Sequence, residues 1–427
     1  MNKLTTEHTP DNIIASWLDN HQEELVHTAD YIFHHPELAY QETLSSKCLA
    51  DYLESQGFKI TWKTAGIDTA FTAVWGGGKP ILGFLAEYDA LAGVGHACGH
   101  NLLGTAVAAA ACALKADMET TGAAGTICVY GCPAEEIMSG KIVMNDQGVF
   151  DDLDVAITWH PFDRNRVSND IWQAQDIKNY TFHGLSSHAA KAPEKGRSAL
   201  DAAELTNIGV NYLREHVDRD CYMHYCYLNG GERPNIVPDY AKLWYMVRAY
   251  TYAQMKEVEQ RVKRIAEGAC LMTDTTVEFE TLGDTHDNRL NFTLSRIVWE
   301  AMEAVGAPCF TEEETAYARQ IAQHAGVPGF TGDFDTRIVS ADRTIKIDNG
   351  STDLADVSQV VPTINMFAAC FAANTPMHTW AVTAQACRPS AHRGMRFAAA
   401  SLALAGARLA SDPESLAAVR AEFEKER

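Results

Sequence analysis

Short apolar runs alternate with helical stretches between Ile81 and Trp159, and no other feature of the chain constrains its fold as strongly. Ile81–Glu87 and Gly125–Tyr130 are apolar almost throughout, as strands buried on both faces are, and the Ala-rich stretch Asn101–Lys115 between them has the length of a helix. A helix near Lys141–Gln147 and a third apolar run, Val155–Trp159, extend the series. Alternation of this kind predicts the α/β class, with a central mixed β-sheet flanked by helices.

Upstream, Asp11–Phe33 carries Ile13, Ile14, Trp17, Leu18, Leu25 and Ile32 at three-to-four spacing, and Glu42–Gly57 repeats the pattern before a terminating glycine. These predict two N-terminal helices. Between Phe58 and Leu91 the period shortens toward two, and Gly76-Gly77-Gly78 separates Ala70–Trp75 from Ile81–Glu87 as a hairpin connection would. From Asp176 the texture changes. Strands at Ile177–His183, Tyr222–Leu228, Ala241–Tyr250 and Val277–Glu280 are interleaved with helices at Ser198–Glu215 and Ala253–Cys270. That order predicts an inserted α+β domain over residues 176–288, with the first domain built from residues 1–175 and 289–427. Arg289–Val305 resumes helix, and an Ala-rich helix closes the chain.

Charge narrows the function. The 35 Lys and Arg against 56 Asp and Glu leave −21, which argues against nucleic acid as a partner and leaves room for a local positive site that takes a small carboxylate. The most apolar uncharged run, Leu102–Leu114, falls short of the roughly 18–20 residues a bilayer demands. Met1–Asn12 shows no apolar core of a leader, and the eleven cysteines form no C-x-x-C pair. A cytoplasmic chain with reduced cysteines and no membrane association is the expectation.

Potential ligands gather at predicted strand ends. Gly95-His96-Ala97-Cys98-Gly99-His100-Asn101 offers thiolate and imidazole, and a pair separated by one glycine can turn both side chains toward one point. Alone, these residues are equally compatible with core packing. Pro133-Ala134-Glu135-Glu136 follows a strand; adjacent carboxylates there can divide the work of metal ligand and general base, or simply form a solvated turn. His160 in Trp159-His160-Pro161 and His378 in Met377-His378-Thr379 repeat the placement, each also readable as a histidine satisfied at a turn. Together, Cys98, His100, Glu136, His160 and His378 supply five donors, more than one tetrahedral ion needs. Coincidence no longer explains them.

At these motifs the sequence resembles family twenty of the metallopeptidases, the aminoacylase and glutamate-carboxypeptidase superfamily, in the branch of auxin-conjugate amidohydrolases and p-aminobenzoyl-glutamate hydrolases. The resemblance rests on His-Ala-Cys-Gly-His (96–100), Pro-Ala-Glu-Glu (133–136), Trp-His-Pro (159–161), Ser-Ser-His-Ala-Ala…Gly-Arg-Ser-Ala-Leu (186–200), Pro-Asn-Ile-Val-Pro (234–238) and Ser-Thr-Asp-Leu-Ala-Asp-Val-Ser (351–358), and runs from His35-Pro36-Glu37 past His378. It implies that Cys98 bridges two divalent ions, that His100, Glu136, His160 and His378 complete their shells, and that Glu135 is the general base. It further implies that the inserted domain is a lid and dimerisation domain, that the chain forms a homodimer through it, and that His188 reaches a partner's active site. Asn235 and Arg248 match positions that hold a substrate carboxylate; Asp353 orients a ligand or closes a loop. One or two ions per subunit are implied, manganese or zinc, with cobalt acceptable. Asn101 stands where many relatives have Asp, which puts the orientation of the neighbouring ligand in question.

Three readings follow. The leading one is a metal-dependent hydrolase that cleaves the amide of an N-acyl or aminobenzoyl amino acid, a small carboxylate-bearing molecule. A second keeps the site but removes an amino group from an aromatic ring, as an aminohydrolase of 5-nitroanthranilate does. A third is a non-catalytic binding protein on the same fold. Elsewhere, the lid tyrosines between Tyr222 and Tyr252 line an aromatic pocket or pack across strands, the latter covering most of them, and Glu312-Glu313-Glu314 reads as a solvated or helix-starting face.

Overall fold

The computed structural model describes residues 10–342, 346–348 and 350–425. Residues 1–9, within which most of the leader question falls, lie outside the described residues. The chain divides into two compact units: residues 1–170, 289–345 and 357–427, and residues 171–288 with 346–356. The second therefore also takes in the short stretch 346–356, which the sequence pattern left with the first.

In the first unit a seven-stranded sheet runs in the order Lys59–Trp62, Phe71–Gly77, Gly125–Cys132, Ile81–Glu87, Val155–Phe162, Thr363–Ala369, Arg166–Val167. The four strands from Gly125–Cys132 to Thr363–Ala369 are mutually parallel, and the pairs outside them are antiparallel. The hairpin expected at Gly76–Gly78 is absent. Gly125–Cys132 lies between Phe71–Gly77 and Ile81–Glu87, antiparallel to the first and parallel to the second. Its physical cause is the helix His100–Thr121, which carries the chain from Ile81–Glu87 across to a parallel neighbour and so places the third strand in the gap.

That helix packs against the helices Pro10–His34 and Pro389–Ser411 as well as the sheet. Its small residues make this possible. At Gly104 a Cβ would sit 2.7 Å from the carbonyl oxygen of Glu87, so only glycine lets the helix lie so close over the end of Ile81–Glu87. The residues between Ala106 and Leu114 are buried, and with Leu18, Ile32, Phe84, Ile157, Val298 and Leu402 they form one continuous apolar core.

The second unit is an antiparallel sheet in the order Thr276–Thr285, Ala174–His183, Tyr240–Ala249, Tyr222–Asn229, with the helices Ala199–Leu213 and Tyr252–Thr273 packed on it. Burial alternates along Tyr240–Ala249, so one face builds a core with the helices. Tyr180 and Tyr225 lie across the sheet from Tyr245, with ring centroids 4.9 and 5.2 Å from it. Cross-strand packing thus accounts for the inward tyrosines, whereas Tyr227, Tyr240 and Trp244 are exposed.

Candidate metal centre

Parallel strands that enter a sheet in the same direction end on the same edge, and the first unit uses that edge. Glu87 ends one strand, Cys98 and His100 follow it, Glu135 and Glu136 form a short turn after Gly125–Cys132, His160 lies near the end of Val155–Phe162, and His378 follows Thr363–Ala369. Gly99, between Cys98 and His100, has φ +84°, and a Cβ there would press on Phe371 and Pro161 at 3.0–3.2 Å. Glycine at 99 is what lets the backbone reverse between two ligand-bearing residues. His378 also adopts the left-handed region, at φ 58°, held by its amide donating to the Ala97 carbonyl.

The side chains converge. Cys98 Sγ lies 3.3 Å from His160 Nε2 and 3.5 Å from His378 Nε2, and Glu136 Oε2 lies 3.9 Å from His378 Nε2. Three triads have ligand atoms mutually within 4.8 Å: Cys98, His100 and His160; Cys98, Glu136 and His378; Glu87, His100 and Glu135. The first two share the thiol. All five donors named from the sequence are therefore brought together, with Glu135 Oε2 4.0 Å from His100 Nε2.

Outer partners fix how the imidazoles face. His160 Nδ1 is 2.8 Å from the Pro161 carbonyl, and His100 Nδ1 is 3.1 Å from both the carbonyl and the carboxylate of Asp89. Each Nδ1–H donates outward and leaves Nε2 as the bare nitrogen facing the cluster. Burial, then the neighbouring His100, hold His160 down at about 4, so its imidazole is neutral at pH 7. Burial raises the Cys98 thiol and the Glu136 carboxyl. Burial also pushes Asp89 up, but His100 outweighs it and holds that carboxyl below its ordinary value.

Two buried atoms, His100 Nε2 and Glu136 Oε1, have no hydrogen-bond partner among the described residues. Leaving such atoms unpaired is costly unless something else binds them. A cation does so, and thiolate, imidazole and carboxylate are the donors of a borderline divalent ion. The donor set fits divalent metal.

Sequence reasoning missed two members of this site. Glu87 Oε2 lies 3.4 Å from His100 Nε2, while Glu87 Oε1 pairs at 2.8 Å with Lys141, whose side chain is wholly buried. Asp89 orients His100 and accepts the Glu136 amide at 3.0 Å. The signal was Glu87-Tyr88-Asp89 at the end of an apolar run. Asn101, in contrast, does not orient a ligand: its side-chain amide donates to the carbonyls of Ala29 and Ala386.

Comparison with known proteins agrees with this geometry. Residues 179–272 match the peptidase dimerisation domain of the M20 group. The chain is 38% identical over 416 residues to one of the two subunits of p-aminobenzoyl-glutamate hydrolase of Escherichia coli (strain K12), covering 88% of this chain and 86% of that one. The chain belongs to the M20 peptidase family. Xaa-Arg dipeptidase of Homo sapiens is 30% identical to this M20 chain over 425 residues, covering 96% and 91% respectively. Among solved structures, a dinuclear metal binding M20 peptidase from Bacillus subtilis superposes with TM-score 0.58 at 18% identity, covering 89% of this chain and 98% of that one, a likeness of fold.

The remaining candidate residues of this M20 protein lie in its second unit. His188 is exposed, and its Nδ1 accepts the amides of Ala190 and Lys191, each at 3.2 Å. That assigns the proton to Nε2, which faces outward as a donor. Asn235 is beside it, its carbonyl accepting the Ala189 amide at 3.1 Å. Arg248 is not. It pairs with Gln175 and Tyr222, at the end of its strand opposite to Tyr240 and His183, and is half-buried. Asp353 is fully buried. Among the described residues, no helix is long and apolar enough to cross a membrane.

Proposed function

We propose that this M20 enzyme hydrolyses the amide between a small aromatic acyl or aminobenzoyl group and an amino acid that keeps a free carboxylate. The observation that carries the reading is the position of Glu135. Its carboxylate is inside the ligand cluster, next in sequence to the donor Glu136, and largely buried. The similarity to the p-aminobenzoyl-glutamate hydrolase of Escherichia coli supports the substrate class.

Cys98, His100, Glu136, His160 and His378 would hold the metal, two ions sharing the thiol, with manganese or zinc as the expected occupant. Bound there, divalent metal supplies Lewis acidity and lowers the pKa of coordinated water from 15.7 toward about 7. Glu135 takes the proton of the attacking water and returns it to the departing nitrogen. His188 of the partner subunit, protonated on Nε2, donates to the oxyanion as charge builds on it. Asn235 and Arg248 receive the substrate carboxylate. Since the strand separates them, they serve it from different points of the lid. Asp353, buried, closes its loop.

Glu135→Gln tests the core of this reading. The amide cannot accept a proton, so turnover falls by about 10²–10⁴-fold while metal content is unchanged. Turnover within a few-fold of the parent would remove Glu135 as the base. The same assay, run on a panel of aminobenzoyl and acyl amino acids and aromatic amines, separates released amino acid from released ammonia; ammonia alone would replace amide cleavage by aromatic deamination.

A further inference from the structure

The turn that carries Glu135 and Glu136 starts and finishes on backbone that L-residues rarely adopt. Ala134, at φ 60°, and Met138, at φ 54°, are both left-handed, and Glu135–Ile137 runs between them as a single 3-10 turn. Such conformations persist where the surroundings over-determine them. The connection between the first two helices supplies those surroundings. Glu42 is completely buried, and its Oε1 accepts the amides of Ala134 and Tyr40, each at 2.9 Å, while its Oε2 accepts the Thr69 hydroxyl at 2.9 Å. Tyr40, itself left-handed at φ 63°, hydrogen-bonds through its phenol to the hydroxyl of Ser139, immediately beyond Met138. The turn is thus gripped at both ends from one short segment.

The same segment holds the neighbouring strand end. The Glu37 carbonyl accepts the Ala90 amide at 2.8 Å, one residue after Asp89, and Asp89 in turn accepts the Glu136 amide. A buried carboxylate whose three named donors are all neutral is an expensive choice for mere filling of space. An apolar residue at 42 would leave the buried Ala134 amide without its acceptor.

We infer that Glu42 is a positioning residue for the Glu135–Glu136 turn, holding the Ala134 amide so that the two carboxylates keep their separate directions. The inference rests on the functional reading of Glu135 and Glu136 given above. Glu42 touches neither substrate nor metal in this role; it acts through the backbone of Ala134.

Three variants and two readouts test it. In Glu42→Gln the side-chain carbonyl can still accept both amides, and the new NH2 can donate to Thr69, so kcat stays within a few-fold of the parent. In Glu42→Ala kcat falls by about 10²-fold with KM little changed, the loss expected of a catalytic group displaced by about 1 Å. Amide hydrogen exchange in the peptide spanning residues 133–140 accelerates in Glu42→Ala and not in Glu42→Gln, while exchange in the sheet strands is unchanged. Should Glu42→Ala not fold, Tyr40→Phe, which loses only the bond to Ser139, gives the same local acceleration and a smaller fall in kcat. Parental exchange at 133–140 in a folded Glu42→Ala or Tyr40→Phe protein overturns the inference, as does accelerated exchange with parental kcat. Glu135→Gln is assayed in parallel: if it retains turnover, the functional reading fails, and the exchange data alone then judge whether Glu42 braces the turn.

Discussion

His100 takes its orientation from Asp89, eleven positions upstream, and not from the residue that follows it. The asparagine at 101 is engaged elsewhere, its NH2 shared between two backbone carbonyls from different parts of the chain. A carboxylate there would face two acceptors and donate to neither. Asn101→Asp is therefore expected to lose about 1–3 kcal/mol of stability, measured by denaturant unfolding, with metal content retained in the folded fraction. Lys141 makes a stronger case. Lys141→Met leaves Glu87 buried beside His100 without its cation, a change expected to cost about 3–5 kcal/mol. Adding Glu87→Gln should recover part of that loss, and additive losses in this double-mutant cycle would show that the pair is not coupled. Cys98, His100, Glu136, His160 and His378 were legible because each donor type sits just past an apolar run. Glu87, Asp89 and Glu42 were not, because a carboxylate at a strand or helix end reads the same whether it faces solvent or a buried partner. Only the crossing of distant segments decides which.

Among the elements, the run Glu312-Glu313-Glu314 proves to be a helix start. Thr311 caps Glu312–Ala325, accepting the Glu314 amide, while the Glu314 carboxylate accepts the Thr311 amide, a reciprocal capping box. Thr311→Ala should cost about 1 kcal/mol in thermal or chemical unfolding. Glu314 adds a pH dependence. Burial pushes its carboxyl up, but Arg393 at 2.8 Å and the Thr311 amide outweigh burial and hold it below its ordinary 4.5. A carboxyl depressed on folding stabilises the protein above its unfolded pKa and ceases to do so as pH falls through the folded one. The stability gap between the parent and Glu314→Gln should accordingly narrow as pH drops below 4.5, and a gap independent of pH would exclude this pairing as its source. Helix and strand periods were readable throughout because they are local. The neighbour of Phe71–Gly77 was not, since three glycines look the same whether the chain doubles back or passes under an intervening strand.

The whole molecule is where the lid residues are tested. If His188 works in a partner's site, a Glu135→Gln chain and a His188→Ala chain, each inactive alone, regain activity when co-refolded. One site of each mixed dimer then joins an intact Glu135 to an intact His188, and random pairing limits recovery to about a quarter of the parent. Mixed dimers without recovered activity would assign His188 to its own chain or to structure. The sharing of the first unit between distant parts of the chain carries a further consequence, for the order of events at the ribosome. His160 and His378 are separated by roughly 220 residues, so at about 5–20 residues per second the last donor is made some 10–40 s after the others. Throughout that interval Cys98, His100 and His160 exist on a nascent chain whose sheet still lacks Thr363–Ala369, the strand that pairs with Val155–Phe162. The continuous stretch 171–288 can close its own core in the meantime. Metal loading is then a late step of biosynthesis, gated by translation of the C-terminal segment, and a chain truncated before His378 would carry a thiol and two imidazoles with half a centre to put them in.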